Sequence, residues 1–188
     1  MKTKEIPVRY GTGAIILHWT VFLLFVNQFV SAALMIWMGN DATVAGASRS
    51  EIFGWHKAIG LLVLMIVFVR LIWRKTTTLP EWAPGIKEWE KSSIHFIERG
   101  LYVLMFVMPL SGLLMSVSGG RGVLFFNLFE IQGLSQPNTV LSSIGWFLHR
   151  TTSYAIIGMV ALHVAFVLRR HIFEKDGYLN RMLPFVKT

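Results

Sequence analysis

The chain reads as an all-α integral membrane protein, a four-helix bundle with both termini on the cytoplasmic side. Three observations predict this. Of 188 residues, 54% are hydrophobic and only 15% charged, where soluble chains carry roughly a quarter charged. Four apolar runs are each long enough to cross a hydrocarbon core of about 30 Å, which takes roughly 20 helical residues. The basic residues fall unevenly about those runs. With no water in the hydrocarbon, helices are the simplest way to satisfy the backbone, and the length fits one domain.

The runs span residues 14–38, 53–73, 94–117 and 144–168. The first follows Lys2, Lys4 and Arg9 as a signal peptide would. Its apolar stretch exceeds the usual 7–15 residues of a signal core, and it carries His18-Trp19, so it reads as a retained helix. It ends at the polar exit Gly39-Asn40-Asp41, and a short outer loop of small residues follows. The second run ends in Arg70, Trp73, Arg74 and Lys75, an aromatic and basic belt. The connection over 76–91 holds Pro80 and Pro84 beside Trp82 and Trp89. It is expected to be irregular, with room for a short interfacial helix. The third run contains Pro109 and Gly112, which predict a kink near its outer end. The loop over 118–143 opens with Gly119-Gly120-Arg121-Gly122 and contains Phe125-Phe126, the composition of a lid dipping into the interface. The tail over 172–188 is basic and amphipathic enough to lie on the inner surface.

The net charge of +8 suggests nucleic acid until its placement is considered. Of the 18 Lys and Arg residues, Arg49, Lys57, Arg121 and Arg150 stand on one side of the runs and the others on the opposite side. That asymmetry is the positive-inside signature. It puts both termini in the cytoplasm, and the partner it implies is a lipid bilayer, with no nucleic acid. In a prokaryotic inner membrane the loops over 39–52 and 118–143 then face the periplasm. The chain has no cysteine, which excludes disulfides, cysteine-held iron–sulfur clusters and covalent c-type haem.

Histidine carries the functional signal. His149 and His163 are fourteen residues apart on the fourth run. That spacing gives about 21 Å of rise and a return to within about 40° of the same face. Charge placement puts His163 and His18 in the cytoplasmic half, and His149 and His56 in the periplasmic half. An ionisable residue in lipid is costly and marks function by default. Two levels of paired imidazoles suit two haems stacked across the bilayer, each with both axial positions of iron filled. Taken singly, His18 and His56 also read as interfacial residues snorkelling to water. Zinc is the rival metal. It needs ligands converging at about 2 Å, which His149 and His163 cannot supply from one intact helix.

His95, Glu98, Arg170 and His171 gather near the inner surface as candidates for proton exchange with a quinone, since histidine titrates near neutral pH. The competing reading is a solvated face, with Glu98 paired to Lys91 or Arg99. Gly60, Gly100, Gly112 and Gly158 would let a helix or a flat macrocycle approach closely. Arg9, Arg70, Arg74 and Arg169 are candidates for pairing with haem carboxylates at the inner level, and Arg49, Lys57, Arg121 and Arg150 at the outer.

Ordered motifs run through nearly the whole chain: Arg9-Tyr10, Leu17-His18-Trp19, Trp55-His56-Lys57-Ala58-Ile59-Gly60 and Val69-Arg70-Leu71-Ile72-Trp73-Arg74, then Leu101-Tyr102 and Met108-Pro109-Leu110-Ser111-Gly112. His149, Leu162-His163, Lys175-Asp176 and Arg181-Met182-Leu183-Pro184 complete the set. With these the chain resembles the bacterial cytochrome b561 family of four-helix dihaem membrane proteins. The resemblance implies two haem b groups, with His18 paired to His163 and His56 to His149 as axial ligands of iron. It implies electron exchange with the quinone pool, ubiquinone included. It offers two activities, a superoxide:quinone oxidoreductase or a membrane-anchor electron carrier for a periplasmic redox protein. Two positions depart from the family pattern: Arg170-His171 stands where a double histidine is common, and Glu98 where a histidine is common.

Overall fold

A computed structural model describes residues 9–82 and 85–183. Lys2, Lys4, Pro84, Pro184 and Lys187, used above for charge placement, loop and motif, lie outside the described residues. Four helices are long and apolar enough to span a membrane: α1 (Thr12–Trp37), α2 (Arg49–Thr76), α3 (Glu88–Ser118) and α4 (Thr139–Arg169). Every one starts before its apolar run, because polar flanks continue the helix into the headgroup region. Two local signals fix the starts. Ser48 and Glu51 form a reciprocal capping box at α2. Asn138 accepts a hydrogen bond from the Leu141 amide at α4.

The helices run up, down, up and down. Tyr10 donates its amide hydrogen to the Arg181 carbonyl, so the described ends of the chain meet at one end of the bundle, called here the terminal end. The opposite, hairpin end carries two small antiparallel ribbons. The first pairs β1 (Thr43–Val44) with β2 (Ala47–Ser48), and the second pairs β3 (Val123–Phe125) with β4 (Phe129–Ile131). The lid expected over 118–143 is thus an ordered hairpin. Its turn places Phe126 and Asn127 in the left-handed region. Phe126 packs on Trp55, and Lys57 donates to the Gly122 carbonyl.

Among the described residues between 76 and 88 no separate helix forms, and the last four residues of the expected connection belong to the first turn of α3. Helix α3 runs unbroken through Pro109. After α4 the chain makes a π-helical turn (Arg170–Glu174) and a 3₁₀ turn (Tyr178–Arg181). The described part of the tail folds back under the bundle. Trp19 Nε1 donates to the Met182 carbonyl, Arg9 to the Leu183 carbonyl and Arg181 to the Glu81 carbonyl. The tail is thus held in place, because two side chains claim its backbone and its own Arg181 reaches the α2–α3 connection.

The apolar core joins α1, α2 and α3 through Val21, Val63, Val67 and Met105, flanked by Phe25, Ile66 and Phe106. Large apolar side chains elsewhere, such as Leu23, Val30, Phe68 and Val103, face outward, as lipid contact requires. The closely packed helix pairs are α1–α2, α2–α3 and α3–α4. Helix α4 gains its approach to α3 at Gly145, where a Cβ would come within 2.6 Å of the Met115 backbone nitrogen.

One charged cluster ties the terminal end. Glu90, only 2% exposed, accepts from Arg169 at 2.9 Å and from the equally buried Arg170 at 3.0 Å. Arg170 also binds Asp176, whose other oxygen accepts from the Tyr178 amide. Removing one partner of a buried pair leaves an uncompensated charge. Glu90→Gln is therefore expected to cost about 3 kcal/mol, read as earlier thermal unfolding in detergent. Glu88→Gln, which removes an exposed pair with Lys91, is expected to cost under about 1 kcal/mol.

Candidate functional site

The four spanning histidines form two facing pairs. His18 of α1 meets His163 of α4 with ring centroids 6.2 Å apart and planes at 50°. His56 of α2 meets His149 of α4 at 6.3 Å and 76°. Helix α4 packs closely on α3 and far less on α1 or α2, so these rings face each other across the looser side of the bundle. The separation has a chemical meaning. A five-membered ring with bonds near 1.35 Å has a radius of about 1.15 Å, and a metal–imidazole bond is about 2.0 Å. Two imidazoles on opposite sides of one metal ion therefore put their centroids about 6.3 Å apart. Both pairs match that value.

Hydrogen bonds select the nitrogen that faces inward. Ser31 Oγ donates to the Gln28 carbonyl at 3.0 Å, which leaves its lone pairs for His56 Nδ1 at 2.8 Å. His149 Nδ1 lies 2.9 Å from the Met108 carbonyl, which can only accept. Both rings thus carry their proton on Nδ1 and present the Nε2 lone pair, the tautomer a metal ligand needs. Ser111 stands 3.4 Å from His149 Nδ1 as a further partner. At the terminal end Arg70 Nη2 donates to His18 Nδ1 at 3.0 Å, while Arg70 Nε donates to the Tyr102 hydroxyl at 3.3 Å.

Of the four glycines singled out, Gly112 backs the His149 ring, where a Cβ would meet Cε1 and Nδ1 at 3.0 Å. Gly60 admits the Gln28 amide, which donates to the His56 carbonyl. Gly100 lies against the Met159 side chain, and Gly158 has open space beside it.

The quinone candidates do not form one cluster. His95 lies edge-on to Trp82, with Nδ1 4.0 Å from Glu98. Glu98 pairs with Arg74 at 2.6 Å, across helices. Lys91 instead binds Glu88, so neither Lys91 nor Arg99 is the Glu98 partner in this fold. Arg170 is buried in the Glu90–Asp176 cluster, and His171 is exposed beyond α4. A groove of about 750 Å³ opens beside them between α3 and α4, lined by Ser93, Phe96, Leu162, Phe166 and Arg169. Of the cations considered for haem carboxylates, Arg169 holds Glu90 and Glu174, and Arg74 holds Glu98. At the hairpin end Arg49 donates to the Met35 carbonyl, and Arg150 lies over Trp146. Arg121 lines a smaller cavity of about 240 Å³ with Ser142 and Trp146. Outside the spans, burial raises the Tyr10 hydroxyl above its ordinary range and pushes Tyr178 up to about 12. Both phenols stay neutral at physiological pH.

Ser31, Gln28 and Glu90 escaped the sequence reading, and Tyr102 and Met108 entered it only as parts of motifs, with no role behind a histidine. The signal for all three was present: Gln28 and Ser31 are polar interruptions of an apolar run, and polar groups in lipid are expensive. Glu90 is an acidic residue at a span's edge, three residues beyond Lys87, whose amide it caps at 2.9 Å.

A transmembrane helical bundle with paired imidazoles at two depths defines a b-type membrane cytochrome. The model of the prokaryotic cytochrome b561 family matches residues 9–185, and the chain belongs to that family. It is similar to cytochrome b561 homolog 2 of Escherichia coli (strain K12), 25% identical over 190 residues, covering 97% of this chain and 95% of the relative. It is similar as well to cytochrome b561 homolog 1 of the same organism, 23% identical over 176 residues, covering 94% and 97%. Membership makes haem b the resident cofactor, transmembrane electron transfer the activity, and the prokaryotic inner membrane the location of this multi-pass chain. The residues present fit that cofactor: imidazoles stand at metal-sandwich spacing at both levels, and at the hairpin end two rings present Nε2 lone pairs with a glycine behind one of them. Gly112→Val, which pushes His149 out of place, is expected to lower haem per polypeptide in purified protein. Gly54→Val, with open space around it, is expected to leave haem content unchanged.

Proposed function

We propose that the chain conducts electrons across the membrane through two haem b groups, one held by His18 and His163 and the other by His56 and His149. The observation that carries this reading is the centroid spacing of 6.2 and 6.3 Å in both pairs. Bound haem supplies a one-electron iron couple, and with both axial positions filled it has no open site for oxygen. The protein's own part is structural and electrostatic. Four imidazoles come from three helices, so no ligand pair can separate without unpacking the bundle. Ser31 and the Met108 carbonyl hold their rings in one tautomer, and outward-facing apolar side chains keep water from the spans.

Charge asymmetry supports termini in the cytoplasm and the hairpin end in the periplasm. Exchange with quinone belongs at the terminal end. The groove between α3 and α4 is apolar, faces lipid and adjoins His163 through Leu162 and His95 through Phe96. It has serine and arginine side chains for the carbonyls of a quinone such as ubiquinone. The donor at the other end is superoxide or a similar small reductant, which makes the chain a superoxide:quinone oxidoreductase. The second reading, a membrane anchor carrying electrons for a periplasmic redox partner, draws on one observation. Leu124, Leu128 and Phe129 of the β3–β4 hairpin are exposed at 50%, 76% and 48%, an apolar surface suited to docking.

Haem counting tests the ligand reading. His18→Ala or His163→Ala is expected to reduce haem from two per polypeptide to one, and His56→Ala or His149→Ala likewise. His18→Ala combined with His56→Ala is expected to yield colourless protein. Unchanged pigment in all of them would refute the assignment. Addition of a quinol to the purified protein tests exchange, with haem reduction the expected outcome.

A further inference from the structure

Helix α1 carries one polar side chain that the fold of a single chain leaves unanswered. Asn27 is exposed, and among the described residues its amide has no hydrogen-bond partner. It stands fifteen residues after Thr12 and ten before Trp37, the two ends of the helix. At 1.5 Å per residue it lies about 22 Å from one end and about 15 Å from the other. That is the interior of a hydrocarbon core about 30 Å thick, where a short amide cannot reach water and an unmatched donor or acceptor is expensive. Its neighbours are matched: Gln28 donates to the His56 carbonyl and Ser31 meets the His56 ring, both toward α2. Asn27 follows His18 by nine residues, which is half a turn out of phase. It therefore points away from the gap in which His18 faces His163.

The surface around Asn27 has the repeat of a helix–helix seam. Ile16, Leu23, Val30 and Trp37 are seven residues apart, and each is more than half exposed. A seven-residue repeat keeps two supercoiled helices in contact along their length, at the left-handed crossing common in membrane bundles. Asn27 falls four residues after Leu23 and three before Val30, the alternate position of the same seam. A single asparagine at such a position sets register and the number of helices that join.

The chemistry of the amide selects the occupant. Insertion gives every copy of the chain the same orientation, so Asn27 of any two copies lies at one depth. An amide offers both an N–H donor and a carbonyl acceptor. Two of them related by a two-fold axis along the membrane normal satisfy each other reciprocally. We propose that this face of α1 is the interface for a second copy of the chain, closed at mid-membrane by a pair of hydrogen bonds between the two Asn27 amides. The groove between α3 and α4 lies on other helices and stays clear of the seam.

The test uses the haem-loaded full chain in vesicles of phosphatidylethanolamine and phosphatidylglycerol. The sequence has no cysteine, so a single introduced one reports alone. Val30→Cys is expected to give a disulfide-linked dimer under mild oxidation, since the bond needs Cα atoms within about 7 Å. Val103→Cys, similarly exposed on α3, is expected to stay uncrosslinked. Energy transfer between terminally labelled copies, followed on dilution with lipid, measures association. Asn27→Leu is expected to weaken it by roughly tenfold with haem per polypeptide unchanged, and Asn27→Gln to keep most of it. Should Asn27→Leu lose haem, the positions that cross-link still decide. Copies that never associate, association indifferent to Asn27→Leu, or a cross-link at Val103→Cys in place of Val30→Cys overturns the proposal. Copies that stay apart while Asn27→Leu releases a different protein in the native membrane would assign the face to that protein and overturn it as well.

Discussion

Two imidazoles about 6.3 Å apart, repeated at two depths of one bundle, are the constraint on which the rest of this structure depends. Polar rings inside a bilayer must be satisfied on both sides. Outward, His56, His149 and His18 meet a serine hydroxyl, a backbone carbonyl and an arginine in turn. Inward, they meet each other at a distance too long for a hydrogen bond and right for a shared metal. The bundle accommodates this by leaving one side loose. Helices α1, α2 and α3 share the apolar core, while α4 packs on α3 and offers both of its histidines across the gap.

The two ends of the molecule do different physical work. At the terminal end, charge is buried and paired: Glu90 with Arg169 and Arg170, Arg74 with Glu98. The Glu90 pairs hold the turn after α4, Arg9 and Trp19 bind the tail backbone to the start of the chain, and Arg181 ties it to the Glu81 carbonyl. The hairpin end is built from backbone pairing and aromatic contacts, Phe125 on Phe129 and Phe126 on Trp55. An electrostatic end and an apolar end around two ring pairs give the fold a polarity.

Much of this was legible in the sequence. Four spans follow from apolar length, and the fourteen-residue spacing of His149 and His163 follows from helix geometry alone. What stayed hidden is tertiary. The residues behind the rings lie on other helices; Met108 contributes only its backbone carbonyl, which no residue type announces. Glu98 was matched with Lys91 or Arg99, nearby in sequence, whereas its partner Arg74 comes from the preceding helix. Arg170 stood among the quinone candidates because it is basic and near the surface, and its burial against Glu90 and Asp176 depends on a turn that periodicity does not encode. The β3–β4 hairpin was missed because three-residue strands are too short to alternate visibly.

The central claim is that each histidine pair clamps one haem iron. Electron paramagnetic resonance of the oxidised, purified protein, with haem quantified on the same sample, addresses it directly. The account predicts two haems per chain, both low-spin ferric, as two nitrogen ligands on opposite faces impose. One haem per chain, or a dominant high-spin signal from an iron with an open position, would contradict it.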